Sequence, residues 1–179
     1  MTVEKHFLET TIGVFKNYKS LAEKSFVQLQ NDEDFHFTPD PESNSIALLI
    51  KHMSGNMISR WTDFLTTDGE KPNRNRDDEF MDRGETRVQL MEKWDAGWKV
   101  FFDTLNSLKE EDLLKKITIR QEEQTVLQAL TRKTAHYCYH VGQIVFLAKH
   151  LKSENWKSLS IPKNQSTSHT KGTYLDNIK

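Results

Sequence analysis

Apolar residues recur at helical intervals along four long stretches of the chain, with polar linkers between them. From about Val3 to Leu29, the residues Leu8, Ile12, Phe15, Leu21, Phe26 and Leu29 recur three to six apart and predict a first helix. "NDEDFHFTPDPES" follows, with two prolines and a run of acids, and helices stop before such a stretch. A second helix is expected from Ser43 or Asn44, both favoured N-cap types. Its stripe is Ile46, Leu49, Ile50, Met53, Met57, Trp61, Phe64 and Leu65, wide enough to face a core. The segment from Thr66 to Glu85, "TTDGEKPNRNRDDEFMDRGE", reads as a long loop, ordered or partly so. Loops of that length in a compact domain are often functional.

A third helix is expected from about Glu85 to Leu108. Leu90, Met91, Trp94, Trp98, Phe101, Phe102, Leu105 and Leu108 face its core side. In "LLKKITIRQEEQ", the β-branched Ile117, Thr118 and Ile119 favour a short extended segment. A fourth helix should run from Thr125, a plausible N-cap, to Leu151. Its stripe is Leu127, Leu130, Thr134, Tyr137, Val141, Ile144 and Ala148. The tail from Lys152 to Lys179 is polar, with Trp156, Leu159 and Ile161 as its docking points. Four such helices with little strand signal predict an all-α fold, a four-helix bundle. The linkers near 30–43 and 66–85 leave room for crossover connections.

The length of 179 residues fits a single domain, residues 1–179, with 152–179 as a tail packed on it in part. The 25 basic and 26 acidic residues nearly cancel, so no basic footprint for nucleic acid exists. Apolar stretches are broken by charge before membrane-spanning length, and "MTVEKHFLET" has no signal-peptide pattern. Cys138 is the one cysteine, which excludes an internal disulfide and a thiolate zinc site. These features lead to the expectation of a cytoplasmic protein with neither a nucleic acid nor a membrane as partner.

The candidate chemistry lies in "AHYCYHVGQIVF", residues 135–146. His136 and His140 fall on one helix face, about 5–6 Å apart at Cβ, close enough to share a metal ion. Such a pair also arises by chance, and the glutamate that follows the first histidine in zinc proteases is absent. Gln143 continues the stripe and is placed to orient an imidazole. Gly142 would let another helix approach. Cys138 points about 160° away from the histidines and reads as a small apolar residue.

A third ligand must come from elsewhere. His36 and His169 fall in loops, His150 on another face, and His6 at the start of the first helix. His52, in "IALLIKHMSGNM", remains the best candidate by elimination, with Asn56 one turn further on. The other reading of His52 is a half-buried histidine capped by a neighbouring carbonyl.

A histidine in the middle of the second helix, then HxxxH followed by GQ in the fourth, resembles the DinB/YfiT-like superfamily of metal-binding four-helix bundles. Three stretches resemble its DUF1572 branch: "IKHMSGNMISRWTDFLTTDGEKPNRNRDDEF", "AHYCYHVGQIVFLAKHL" and "WKSLSIPKNQS". The tail departs from that pattern in reading KNQS where a glycine is expected before the glutamine. The resemblance implies a metal triad of His52, His136 and His140, a divalent ion such as zinc or nickel, and a homodimer.

Three imidazoles leave coordination positions open, as in catalytic rather than structural zinc sites. By the same resemblance the expected activity is that of a transferase using a low-molecular-weight thiol, with hydrolysis as a variant. The alternative is a metal-binding or stress-associated protein without catalysis, because no general acid or base is evident. Arg60, Arg74 and Arg76 are candidates to bind a carboxylate of such a thiol. Their other reading is loop charges in solvent, paired with Asp77, Asp78 and Glu79.

Overall fold

The computed structural model describes residues 1–168, so His169 and the last residues of the tail lie outside the described residues. Helix α1 spans Val3–Phe26 and starts at Thr2, whose hydroxyl accepts from the Lys5 N–H. A single turn, α2 (Glu33–His36), interrupts the linker after it and sets Phe35 against Phe26 in the core. Helix α3 (Ile46–Trp61) begins at Ser45, whose hydroxyl accepts from the Leu48 N–H. Ser43 does not take this role because its hydroxyl donates to the Asp40 carboxylate instead. Past the end of α3, Asp63 adopts φ 49°, and the chain turns so that Phe64 packs on Trp61. The same turn leaves Leu65 38% exposed, off the stripe on which the sequence puts it.

Helix α4 (Arg87–Ser107) opens with a reciprocal cap between Thr86 and Gln89, and α5 (Val126–Lys152) with one between Thr125 and Gln128. Between them the expected extended segment is strand β1 (Lys116–Ile119). It pairs antiparallel with β2 (Glu122–Thr125), a strand the sequence reading misses. Arg120 and Gln121 both have positive φ, the geometry of a two-residue hairpin turn. Their N–H groups donate to the Asp68 carboxylate, which offsets the strain of placing side chains there.

Helix α3 runs along α4, and α1 along α5, around one aromatic core. Phe15, Trp61, Trp98, Phe101 and Tyr137 meet there, mostly edge to face. Trp94 and Trp98 are buried within this core. On α5, Val126 and Ala129 take the buried positions at its start, while Leu127 is exposed. In the tail, Trp156 packs on the core, and Gln28 bonds the Lys157 backbone from both ends of its amide. Ile161 is 49% exposed rather than docked. Among the described residues no helix is long and apolar enough to cross a membrane.

The close approach between helices falls at Gly97 on α4, not at Gly142. A Cβ on Gly97 would lie 2.8 Å from the Ser54 Cα, whereas one on Gly142 would meet nothing within 4 Å. Gly97→Ala should therefore destabilise the fold by about 1–3 kcal/mol through overpacking. Gly142→Ala should be neutral or stabilising by up to about 1 kcal/mol, from helix propensity alone. Urea titrations of the two variants check this, and equal midpoints would rule out the backbone contact.

Candidate metal centre

Helix α5 presents His136 and His140 one turn apart, and α3 presents His52 from across the core. The three offer ring nitrogens that all lie within 4.8 Å of one another. The Nε2 of His136 lies 3.4 Å from that of His52 and 3.1 Å from that of His140. His52 and His140 are buried, and His136 is half-buried.

Partners on the far side of two rings fix where the protons sit. His52 Nδ1 is 3.0 Å from Glu79 Oε2, and a carboxylate only accepts, so Nδ1 carries the hydrogen. His140 Nδ1 lies 2.9 Å from Gln143 Oε1, and an amide oxygen likewise only accepts. The Nε2 lone pairs of both rings are thereby aimed at the third histidine. His136 can donate to at most one of them, and its own Nδ1 is buried with no partner. A divalent cation satisfies all three lone pairs at once. Nitrogens bound at about 2.0–2.1 Å to one tetrahedral or octahedral ion sit about 2.8–3.4 Å apart, a range that takes in the two spacings found. The residues therefore fit a metal ion.

The electrostatics keep His136 and His140 neutral. Burial is the largest influence on His136 and, with Lys133 and the other two histidines, lowers its pKa to about 3. Burial also lowers His140, more than its bond to Gln143 raises it. Burial opposes the charged form of Glu79, yet hydrogen bonds from His52 and Arg74 outweigh it and hold the carboxyl below its ordinary range. Lys133, one turn before His136, is the most displaced base nearby. Burial, then repulsion from Arg60, Arg132 and Arg74, brings its pKa down to about 7. Its Nζ donates to Asn56 Oδ1 at 2.9 Å, and among the described residues no carboxylate lies within ion-pair distance of it.

The sequence-derived candidates divide by location. His52, His136 and His140 come together, and Gln143 Oε1 lies 2.9 Å from His140 Nδ1. Asn56 Oδ1 accepts from Lys133 and from the Tyr137 hydroxyl, which itself accepts from Trp61. Arg74 is no solvated loop charge: its buried guanidinium grips both oxygens of Glu79 at 2.7 and 2.8 Å. Arg60 bonds the Gly69 carbonyl and Glu70, pinning the loop rather than facing the cluster. Arg76 lies 5.0 Å over the Phe80 ring, which in turn lies beside His52. His36 bonds Asp82 and the Glu85 carbonyl, and His150 stacks on Phe37, both outside the triad. Cys138 is half-buried, which pushes its thiol up, in keeping with its reading as a small apolar residue.

Two residues of the site escape the sequence reading. Lys133 is detectable in principle, as a charge one turn from His136 on a helix face that is otherwise buried. Glu79 carries no such signal, because its position depends on how the 62–86 loop folds back over α3.

The lysine generates a pH prediction. Its folded pKa is about 7, below its ordinary value of 10.5, so the unfolded chain binds the extra proton between those values. Stability should therefore rise as pH increases from 7 toward 10, at no more than about 1.4 kcal/mol per pH unit. Lys133→Met should be more stable than wild type at pH 7 and should lose that slope. Thermal melts across the range check it, and parallel profiles would refute it.

The family described as "Protein of unknown function (DUF1572)" matches residues 2–165. No curated protein and no solved structure matches the chain. The matched span takes in all five helices, the hairpin and the three histidines, and the chain belongs to the DUF1572 family.

Proposed function

We propose that this chain is a single-domain, DinB-like four-helix bundle that holds a divalent ion, zinc or nickel, on His52, His136 and His140. The observation that carries the reading is the convergence of Nε2 lone pairs whose opposite nitrogens are committed to Glu79 and Gln143. Bound there, a divalent ion supplies a Lewis acid able to keep a thiol as its thiolate or to lower the pKa of water. The proposed activity is that of a transferase acting with a low-molecular-weight thiol. The three imidazoles bind, Gln143 and Glu79 orient them, and the apolar core beside them excludes water. Lys133, poised near neutrality and held by Asn56, supports a catalytic reading as the group that takes the thiol proton.

A metal-binding role without turnover is favoured by a different observation. A cavity of about 880 Å³ between α3, α4 and the 62–86 loop is lined by Glu79 and Arg74 but by none of the three histidines. A homodimer belongs to the same proposal, supported by the exposed Tyr139 and Phe146 that flank Gly142 on α5. Sedimentation of a monomer at micromolar concentration would count against it.

Metal analysis of four variants tests the centre. His52→Ala, His136→Ala and His140→Ala should each lose most of the bound metal, and His150→Ala should retain it. Full occupancy in His52→Ala would show that the triad is wrong. Burial already holds His136 and His140 unprotonated, so acid should release the metal only at a pH below the unperturbed histidine value of about 6.5. Thiol consumption with an electrophilic reporter, with and without chelator, separates the transferase from the non-catalytic reading.

A further inference from the structure

The carboxylate behind His52 is itself held by Arg74 and housed by Gly55, two features that the metal reading alone does not require. Glu79 sits on a short helical turn in the 62–86 loop, reaches back across α3, and is buried. One of its oxygens accepts from His52 Nδ1, while Arg74 grips both. The space it occupies is made by Gly55, one turn after His52. A Cβ there would fall 2.2 Å from Glu79 Oε1. Glycine inside a helix is unfavourable by about 1 kcal/mol relative to alanine, so the vacancy is a feature maintained against local preference.

We infer that Glu79, clamped by Arg74 in the space left by Gly55, is a positioning residue that fixes the tautomer and orientation of His52. The inference rests on the three-histidine metal reading. A carboxylate behind a ligating imidazole holds the proton on the far nitrogen, strengthens the near lone pair and stops the ring from flipping. Arg74 prevents the carboxylate from rotating away, and with Glu79 it spans the loop and α3. The loop's docking and the centre's donor geometry are thereby one linked equilibrium. An ion that favours the aimed form of His52 also favours the docked loop.

The test has two readouts, one of them independent of metal. In metal-free protein, long-range proton–nitrogen NMR correlations should report hydrogen on Nδ1 of His52. Glu79→Gln keeps an acceptor and should keep that tautomer, whereas Glu79→Ala should yield a mixture or the Nε2–H form. In chelator competition with zinc, Glu79→Gln should weaken affinity about tenfold and Glu79→Ala by up to about a hundredfold. Gly55→Ala removes no charge, yet it should weaken zinc binding comparably by displacing the carboxylate. A purely structural role predicts lower melting temperatures with unchanged tautomer and zinc affinity in the folded variants, and that result would overturn the inference. If wild type holds His52 with hydrogen on Nδ1 but binds no zinc, the metal reading fails, and the linkage to the ion fails with it. The tautomer result would remain as a separate finding.

Discussion

Three imidazoles set across the seam between α3 and α5 impose the constraint around which this structure is organised. Buried polar nitrogens need partners. Glu79 and Gln143 satisfy two of the Nδ1 atoms, and the Nε2 atoms have only one another. That seam is otherwise kept polar by a chain running from Trp61 through Tyr137 and Asn56 to Lys133. The aromatic core lies directly against it, with Tyr137 serving both sides: its ring meets Phe101 and its hydroxyl meets Asn56. The register of α3 against α5 is therefore fixed by hydrogen bonds that tolerate no slip, and the apolar contacts supply the driving force.

Holding Glu79 in place requires that the long linker be structure rather than slack. Its first part is tied to α3 by Arg60 and Ser59, which both bond the Gly69 carbonyl, and to the hairpin by Asp68. Gly69 itself donates to the Thr118 carbonyl on β1. Its last part is tied by Lys51, which pairs with Glu85 at 2.8 Å. These anchors surround the Arg74–Glu79 pair on both sides in sequence. The small hairpin thus has a purpose beyond connecting α4 to α5: its turn presents the amides that bind Asp68, and Asp68 fixes the first part of the loop that carries Glu79.

The legibility of the sequence follows the range of the forces involved. The long helices declare themselves through periodic burial, a local pattern, and Thr125 marks the start of α5 through an equally local hydrogen bond. The His136 and His140 pair is legible for the same reason. His52 emerges because few histidines lie on the right face. The errors cluster where a distant partner decides. Ser45 caps α3 because Asp40 has taken the Ser43 hydroxyl. β2 exists because β1 and Asp68 organise a turn, although "EEQT" has little strand character of its own. Gly142 looks like a contact point and faces open space, while Gly55 and Gly97 make room for groups from other segments. Glu79 reads only as one acid of a charged run, because nothing local distinguishes it from its neighbours Asp77 and Asp78.

The distribution of buried charge argues that this seam is kept for use. Lys133 without a carboxylate, His136 with an orphaned nitrogen, and a carboxylate–guanidinium pair under a helix all oppose folding stability relative to apolar replacements. Two other ion pairs are arranged differently: Lys99–Asp103 and Lys116–Glu123 lie on the surface, where such pairs contribute little. These groups gather around three lone pairs that point at a common space. A core that needed only to fold would fill that place with leucine. The proposed metal site would account for the cluster, because its donors must be fixed and left unsatisfied until a cation arrives.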